Sequence, residues 1–125
     1  MLKLIIVGSG GFFGSVSRYL LSGAVYRIVG KTLFPYGTLA VNIIGCFFIG
    51  LLSGISETHN LFTPEIRLFI FIGFFGGFTT FSTFGYEVFS FANNGQIFSS
   101  FANIALHLIL GLGLVWLGYA LSTVF

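Results

Sequence analysis

The chain has 125 residues, 56% of them hydrophobic and only 6% charged, with a net charge of +2. Soluble domains carry about a quarter of their residues as charged side chains, so an ordinary water-soluble fold is excluded. The few cations form no basic cluster interleaved with polar residues, which argues against nucleic acid as a partner.

Four apolar segments reach the roughly 20 residues that a helix needs to cross hydrocarbon, at about 4–28, 36–56, 64–92 and 97–124. The expectation is an all-α membrane protein, one four-helix transmembrane domain over residues 1–125. Lys3 and the apolar stretch after it look like the start of a signal peptide. The run continues past an h-region and Arg18 interrupts it, so it reads as part of the mature protein. Within this first segment Gly11, Gly14, Arg18 and Ser22 share one helix face. Small residues at such spacing let helices approach closely in membranes. Arg18, an ionisable group inside a span, faces a partner or water, or snorkels to the headgroups.

Pro35 is a plausible start for the second helix. Thr38, Asn42 and Gly45 lie on one of its faces, followed by Gly50 and Gly54 for packing. The carboxamide of Asn42 needs partners in hydrocarbon, and its NH2 offers two donors. Interhelical hydrogen bonding is the ordinary use of such a residue. Cys46, the single cysteine, cannot form an intrachain disulfide and reads as a small packing residue.

Pro64 and Glu65 suit the first turn of the third helix. From Gly73 to Glu87 the segment stops looking like a plain span: Gly76 and Gly77 are adjacent, and Thr79, Thr80, Ser82 and Thr83 follow. The glycine pair predicts an unwound, broken helix near the midplane. Backbone groups freed there are tolerated only against protein or a water-filled cavity, and broken helices present such groups to ions. The stretch therefore reads as an ion site. Phe81 and Phe84 are neighbours on one face if the helix resumes. A phenyl ring has a positive edge, which can stabilise an anion without a trapping full charge. Glu87 would repel an anion, so it is expected to orient donors or to pair with Arg18.

Asn93-Asn94-Gly95 is a turn by its chemistry. In the fourth helix Asn103, His107 and Gly111 form a polar-to-small stripe, which gives His107 a pore-facing hydrogen bond or a packing role. Metal binding by His107 is not expected without a second intramembrane histidine or any aspartate. No nucleophile–base pair or phosphate loop occurs, so no catalysis is expected. Lys3 and Arg67 fall on one side of the membrane, Arg27 and Lys31 on the other. Two charges against two give no orientation signal. Four short helices also leave little room for a pore within one subunit, which suggests an antiparallel homodimer.

Three motifs carry a resemblance over the whole chain. They are Gly11-x-x-Gly14-Ser15-x-x-Arg18-Tyr19, Pro35-x-Gly37-Thr38-Leu39-x-x-Asn42-x-x-Gly45, and Gly73-Phe74-x-Gly76-Gly77-x-Thr79-Thr80-Phe81-Ser82-Thr83-Phe84 with Glu87 after it. The chain resembles the Fluc (CrcB-type) fluoride channels of microbial membranes. The resemblance implies a dual-topology antiparallel homodimer in the cell (inner) membrane, with two pores that let fluoride leave the cytoplasm passively and relieve its toxicity. It implies a structural sodium ion at the dimer centre, held by the backbone carbonyls of Gly76 and Thr79 of each subunit. It places Asn42, Phe81 and Phe84 on the fluoride path, with Ser82 and Thr83 as a polar track. Thr80 and His107 are further candidates for the path, and Arg18, Glu87 and Thr38 support it. A small dual-topology proton-coupled drug exporter is the alternative. It would need a membrane-embedded carboxylate, for which Glu87 is the sole candidate.

Overall fold

The structure, a computed structural model, describes residues 1–124. Helix α1 (Leu2–Val29) and helix α2 (Tyr36–His59) run without interruption. The third apolar segment is assembled from pieces: α3 (Pro64–Arg67), a π-helical stretch (Leu68–Phe74), α4 (Phe75–Phe78) and, after two extended residues, α5 (Phe81–Asn93). Helix α6 (Ile97–Ser122) follows. Counting Pro64–Asn93 as one, four helices among the described residues are long and apolar enough to cross a membrane.

Local chemistry explains the ends. Thr63 caps α3 by accepting from the Ile66 N–H at 3.3 Å, with Pro64 and Glu65 in the first turn. Gly30 (φ 82°) ends α1, and Gly95 (φ 75°) supplies the positive φ of the tight turn between α5 and α6.

Two seams of small residues decide which helices lie together. Along the first, α1 meets the third segment backbone to backbone. A Cβ added at Gly10 would stand 2.5 Å from the Phe69 carbonyl oxygen and 3.0 Å from Gly73 Cα. One added at Gly14 would run into the Phe74 carbonyl, and one at Gly77 would come within 2.6 Å of the Gly11 carbonyl. Along the second, Gly50 and Gly118 bring α2 and α6 into the same kind of approach, against the backbones of Val115 and Phe47, and Gly54 makes room for the Ser122 side chain. Helices in lipid gain nothing by hiding apolar surface from one another, so close backbone packing is what holds them. The buried apolar centre is accordingly small: Val41, Phe75 and Phe78, with Ile44, Leu52 and Phe74 packed around them. Large apolar side chains such as Phe12, Ile28, Phe98 and Trp116 point outward, as a surface in apolar surroundings requires.

The glycine pair does not mark the interruption in the third segment. Gly76 and Gly77 both remain helical in α4, and the chain becomes extended at Thr79 (φ −86°, ψ 160°) and Thr80 (φ −149°, ψ 112°). Gly77 is small because α1 crosses over it, not because the backbone unwinds there.

Candidate ion site

The extended pair Thr79–Thr80 is held by a side chain from another helix. Asn42 of α2 accepts from the Thr80 N–H through Oδ1 at 2.8 Å and donates to the Thr80 carbonyl through Nδ2 at 3.1 Å. A carboxamide thus replaces the hydrogen bonds that a continuous helix would have made at this residue. On the other side, the Arg18 guanidinium donates through Nη1 to the Thr79 carbonyl at 3.2 Å. Arg18 therefore serves the interruption and does not take Glu87 as its hydrogen-bond partner. Thr80 then restarts the helix, its hydroxyl accepting from the Thr83 N–H at 3.3 Å and donating to Thr83 Oγ1 at 2.9 Å. Ser82 Oγ lies 3.4 Å from the same hydroxyl.

Asn42 has a further neighbour. Its Nδ2 stands 3.1 Å from Nε2 of His107, whose Nδ1 is 3.0 Å from the carbonyl oxygen of Asn103, one turn earlier on α6. The imidazole packs on Phe84, with ring centroids 4.4 Å apart. Phe84 in turn meets Phe81 at 5.6 Å and a 53° tilt. The stripe read on α6 and the paired phenylalanines of α5 thus converge on the asparagine of α2.

Two cavities flank the interruption, and Thr80 lines both. One, of about 300 Å³, is bounded by Asn42, Thr79, Phe81, Phe84 and His107. No Asp, Glu, Lys or Arg lines it. The other, of about 570 Å³, lies on the Arg18 side with Ser15, Tyr26, Thr38 and Thr83. Ser82 lines neither of these two cavities; it is exposed on the outer face of α5, as is Phe81 at 83% of its surface.

Glu87 is half-buried. Its Oε1 accepts from the Thr38 hydroxyl, whereas Oε2 has no protein partner. Asn103 is fully buried, with neither its amide nitrogen nor its oxygen bonded. Such a group is costly in a dry interior, and an ordered water is the ordinary remedy. The spacing places Asn103 on a polar stripe but does not separate its buried side chain from its carbonyl, which holds His107. Nothing in the spacing distinguishes the two. No cluster of three or more His, Cys, Asp or Glu side chains suited to a metal ion occurs among the described residues.

The same chemistry can be placed among known proteins. The family described as "CrcB-like protein, Camphor Resistance (CrcB)" matches residues 5–119. A protein of Geotalea daltonii named "Fluoride-specific ion channel FluC" is 46% identical over 120 residues, 96% of each chain. A protein of the same name from Geobacter sulfurreducens is 45% identical over 118 residues, 94% of each. One from Chlorobium phaeobacteroides is 50% identical over 97 residues, covering 78% of this chain and 74% of that one. With a family match over residues 5–119, nearly all of its length, the chain belongs to the CrcB family.

Proposed function

We propose that this protein is a passive, fluoride-selective channel of the cell membrane that lets fluoride leave the cytoplasm. The observation that carries the reading is the cavity beside the interruption, lined by Asn42, Thr79, Thr80 and the side chains of Phe81 and Phe84 without a charged residue. The names of the similar proteins point the same way and describe channels, not enzymes. Fluoride is small and strongly hydrated, so a selective path must replace its water with closely spaced donors. Asn42, Ser82, Thr83 and the edges of Phe81 and Phe84 can do this without binding so tightly that conduction stops. Chloride is larger and fits that spacing badly. The exporter reading needs a carboxylate in the transport cavity, and Glu87 does not line the cavity beside the interruption.

The working unit in this proposal is an antiparallel homodimer with two pores, the third helix of each subunit broken near the bilayer midplane. Phe81, Ser82 and Thr83 are exposed on a single subunit, so a path through them needs a second surface to close it. A central sodium ion is compatible with the backbone. The Thr80 N–H is turned to Asn42, which leaves the Gly76 carbonyl without its helical partner, and Gly76 itself is exposed with open space around it. The Thr79 carbonyl accepts from Arg18 and keeps a second lone pair. Gly76 and Thr79 would thus offer two hard oxygen ligands per subunit, and the ion would tie the two interruptions together.

The deciding experiment uses purified protein in liposomes with a counter-ion pathway open. Fluoride should be lost quickly and chloride hardly at all. Comparable loss of the two anions would refute a selective pore.

A further inference from the structure

Asn42 has no donor to spare. Its Oδ1 faces a backbone N–H and its Nδ2 a backbone carbonyl, both on Thr80, and these two partners fix which end of the carboxamide is which. The remaining N–H of Nδ2 points to His107 Nε2. That nitrogen must accept. The Asn103 carbonyl beside Nδ1 can only accept, so Nδ1 must carry the ring proton. Backbone groups at both ends of this chain therefore select one form of the ring, neutral with hydrogen on Nδ1.

We propose that His107 in its neutral Nδ1–H form is a positioning residue and not a donor to the anion: it holds Asn42 through its Nε2 lone pair and keeps the last amide N–H occupied until fluoride displaces it, and it becomes a donor only when a second ring proton puts an N–H on Nε2. The inference deepens the reading of Asn42 as a fluoride donor and rests on it. A second proton on Nε2 would set two N–H groups facing each other across 3.1 Å. An anion placed between them accepts from both. Fluoride and the proton should therefore favour each other's binding, by reciprocal linkage. The other titratable or charged groups near the ring are Cys46 on α2, which lines the same cavity, Glu87 on α5, bonded to Thr38, and Arg18 on α1, engaged with the Thr79 carbonyl. None of the three accepts from Nε2, so an effect that belongs to this nitrogen must vanish when His107 alone is replaced.

Two measurements on the full-length protein test this. The first is ¹⁵N NMR of histidine-labelled protein, in which His59 is the only other histidine and His59→Gln removes its signals. At neutral pH His107 should show the Nδ1–H tautomer, and an Nε2–H signature would overturn the proposal whatever the protein transports. The second is fluoride current in planar bilayers at subsaturating fluoride, since neutral HF carries no current. Between about pH 8 and about pH 4.5 the current should rise on the order of fivefold, an ordinary size for two coupled binding events. His107→Gln keeps an acceptor for Asn42 but cannot titrate, so its current should stay flat with pH. A slope in His107→Gln equal to that of the unmodified protein overturns the proposal, as does a flat profile in both. Absence of fluoride current at every pH would instead refute the channel reading, and the tautomer would still decide the role of His107.

Discussion

Phe81 and Phe84 are one helical turn apart yet stand in different surroundings. Phe81 is exposed on a single subunit, while Phe84 is wedged against the His107 ring. If both present a ring edge to the anion, replacing either with Ile keeps volume and apolarity but removes the positive edge. Volume-conserving apolar swaps usually cost less than about 1.5 kcal/mol in stability. Fluoride flux in Phe81→Ile and Phe84→Ile should nevertheless fall at least about tenfold, which is about 1.4 kcal/mol on the barrier. Phe78 provides the contrast. It is buried, stacked on Phe74 at 5.7 Å, and part of the small apolar centre with Val41. Phe78→Ile should lower stability by about 1 to 3 kcal/mol, as core changes do, while flux per folded protein is retained. Flux and thermal melting of the three variants check both halves of the statement. Wild-type flux in Phe81→Ile and Phe84→Ile would make those rings packing residues too.

Between helices, stability rests on backbone approach. A Cβ at Gly14 or Gly118 would meet carbonyl groups of a neighbouring helix, and carbonyls cannot swing aside as a side chain can. Gly14→Ala and Gly118→Ala should each destabilise by about 1 to 3 kcal/mol, the usual range for overpacking. Gly113, on the same helix as Gly118, has nothing within 4 Å of an added Cβ. Gly113→Ala should be neutral or stabilising by up to about 1 kcal/mol. Melting in detergent compares the three, and a loss at Gly113 as large as at Gly14 would mean that another surface closes on that face. The sequence made the existence of these seams legible, but not their register. Gly11 and Gly14 suggested the packing face of α1, whereas Gly10 and Gly14 are the buried pair. Spacings of three and of four are equally compatible with a period of 3.6, so only the partner helix could choose. The sequence points to the glycine pair, whereas the extended residues are Thr79 and Thr80, two positions further on. Glycines permit unwinding; what enforces it is Asn42, thirty-eight positions away, bonding Thr80 at both backbone atoms. Local spacing cannot show such a clamp. The π-helical turn at Leu68–Phe74 left no mark in the sequence either. It lies where Gly73 meets Gly10, a contact between segments sixty residues apart.

At the scale of the whole molecule, what distinguishes this chain is how little instructs it to choose an orientation. Lys3 and Arg67 lie at one end of the bundle, and Arg27 and Lys31 at the other. Arg18 sits between them and is spent on the Thr79 carbonyl. Orientation follows the excess of Lys and Arg in the flanking loops, and here the excess is nil. Subunits should insert both ways in similar numbers, which is what an antiparallel pair needs. Neighbouring positions in the loops are exposed and free to carry charge without disturbing a seam: Thr32 and Leu33 lie between α1 and α2. Thr32→Lys together with Leu33→Lys would raise one side to four cations against two, forcing a single orientation. If the antiparallel dimer is the conducting unit, this variant should express and span the membrane yet lose fluoride flux. Co-expression with a copy biased the other way, by lysines at Leu61 and Phe62, should restore it. The measurements are a C-terminal reporter read on each side of the membrane and fluoride efflux from liposomes. A reporter seen on one side only in the unmodified protein, or full flux from the Thr32/Leu33 variant alone, would exclude the antiparallel assembly. Failure of the mixed pair to conduct, with both copies present and folded, would mean that the added lysines act on the pore rather than on orientation.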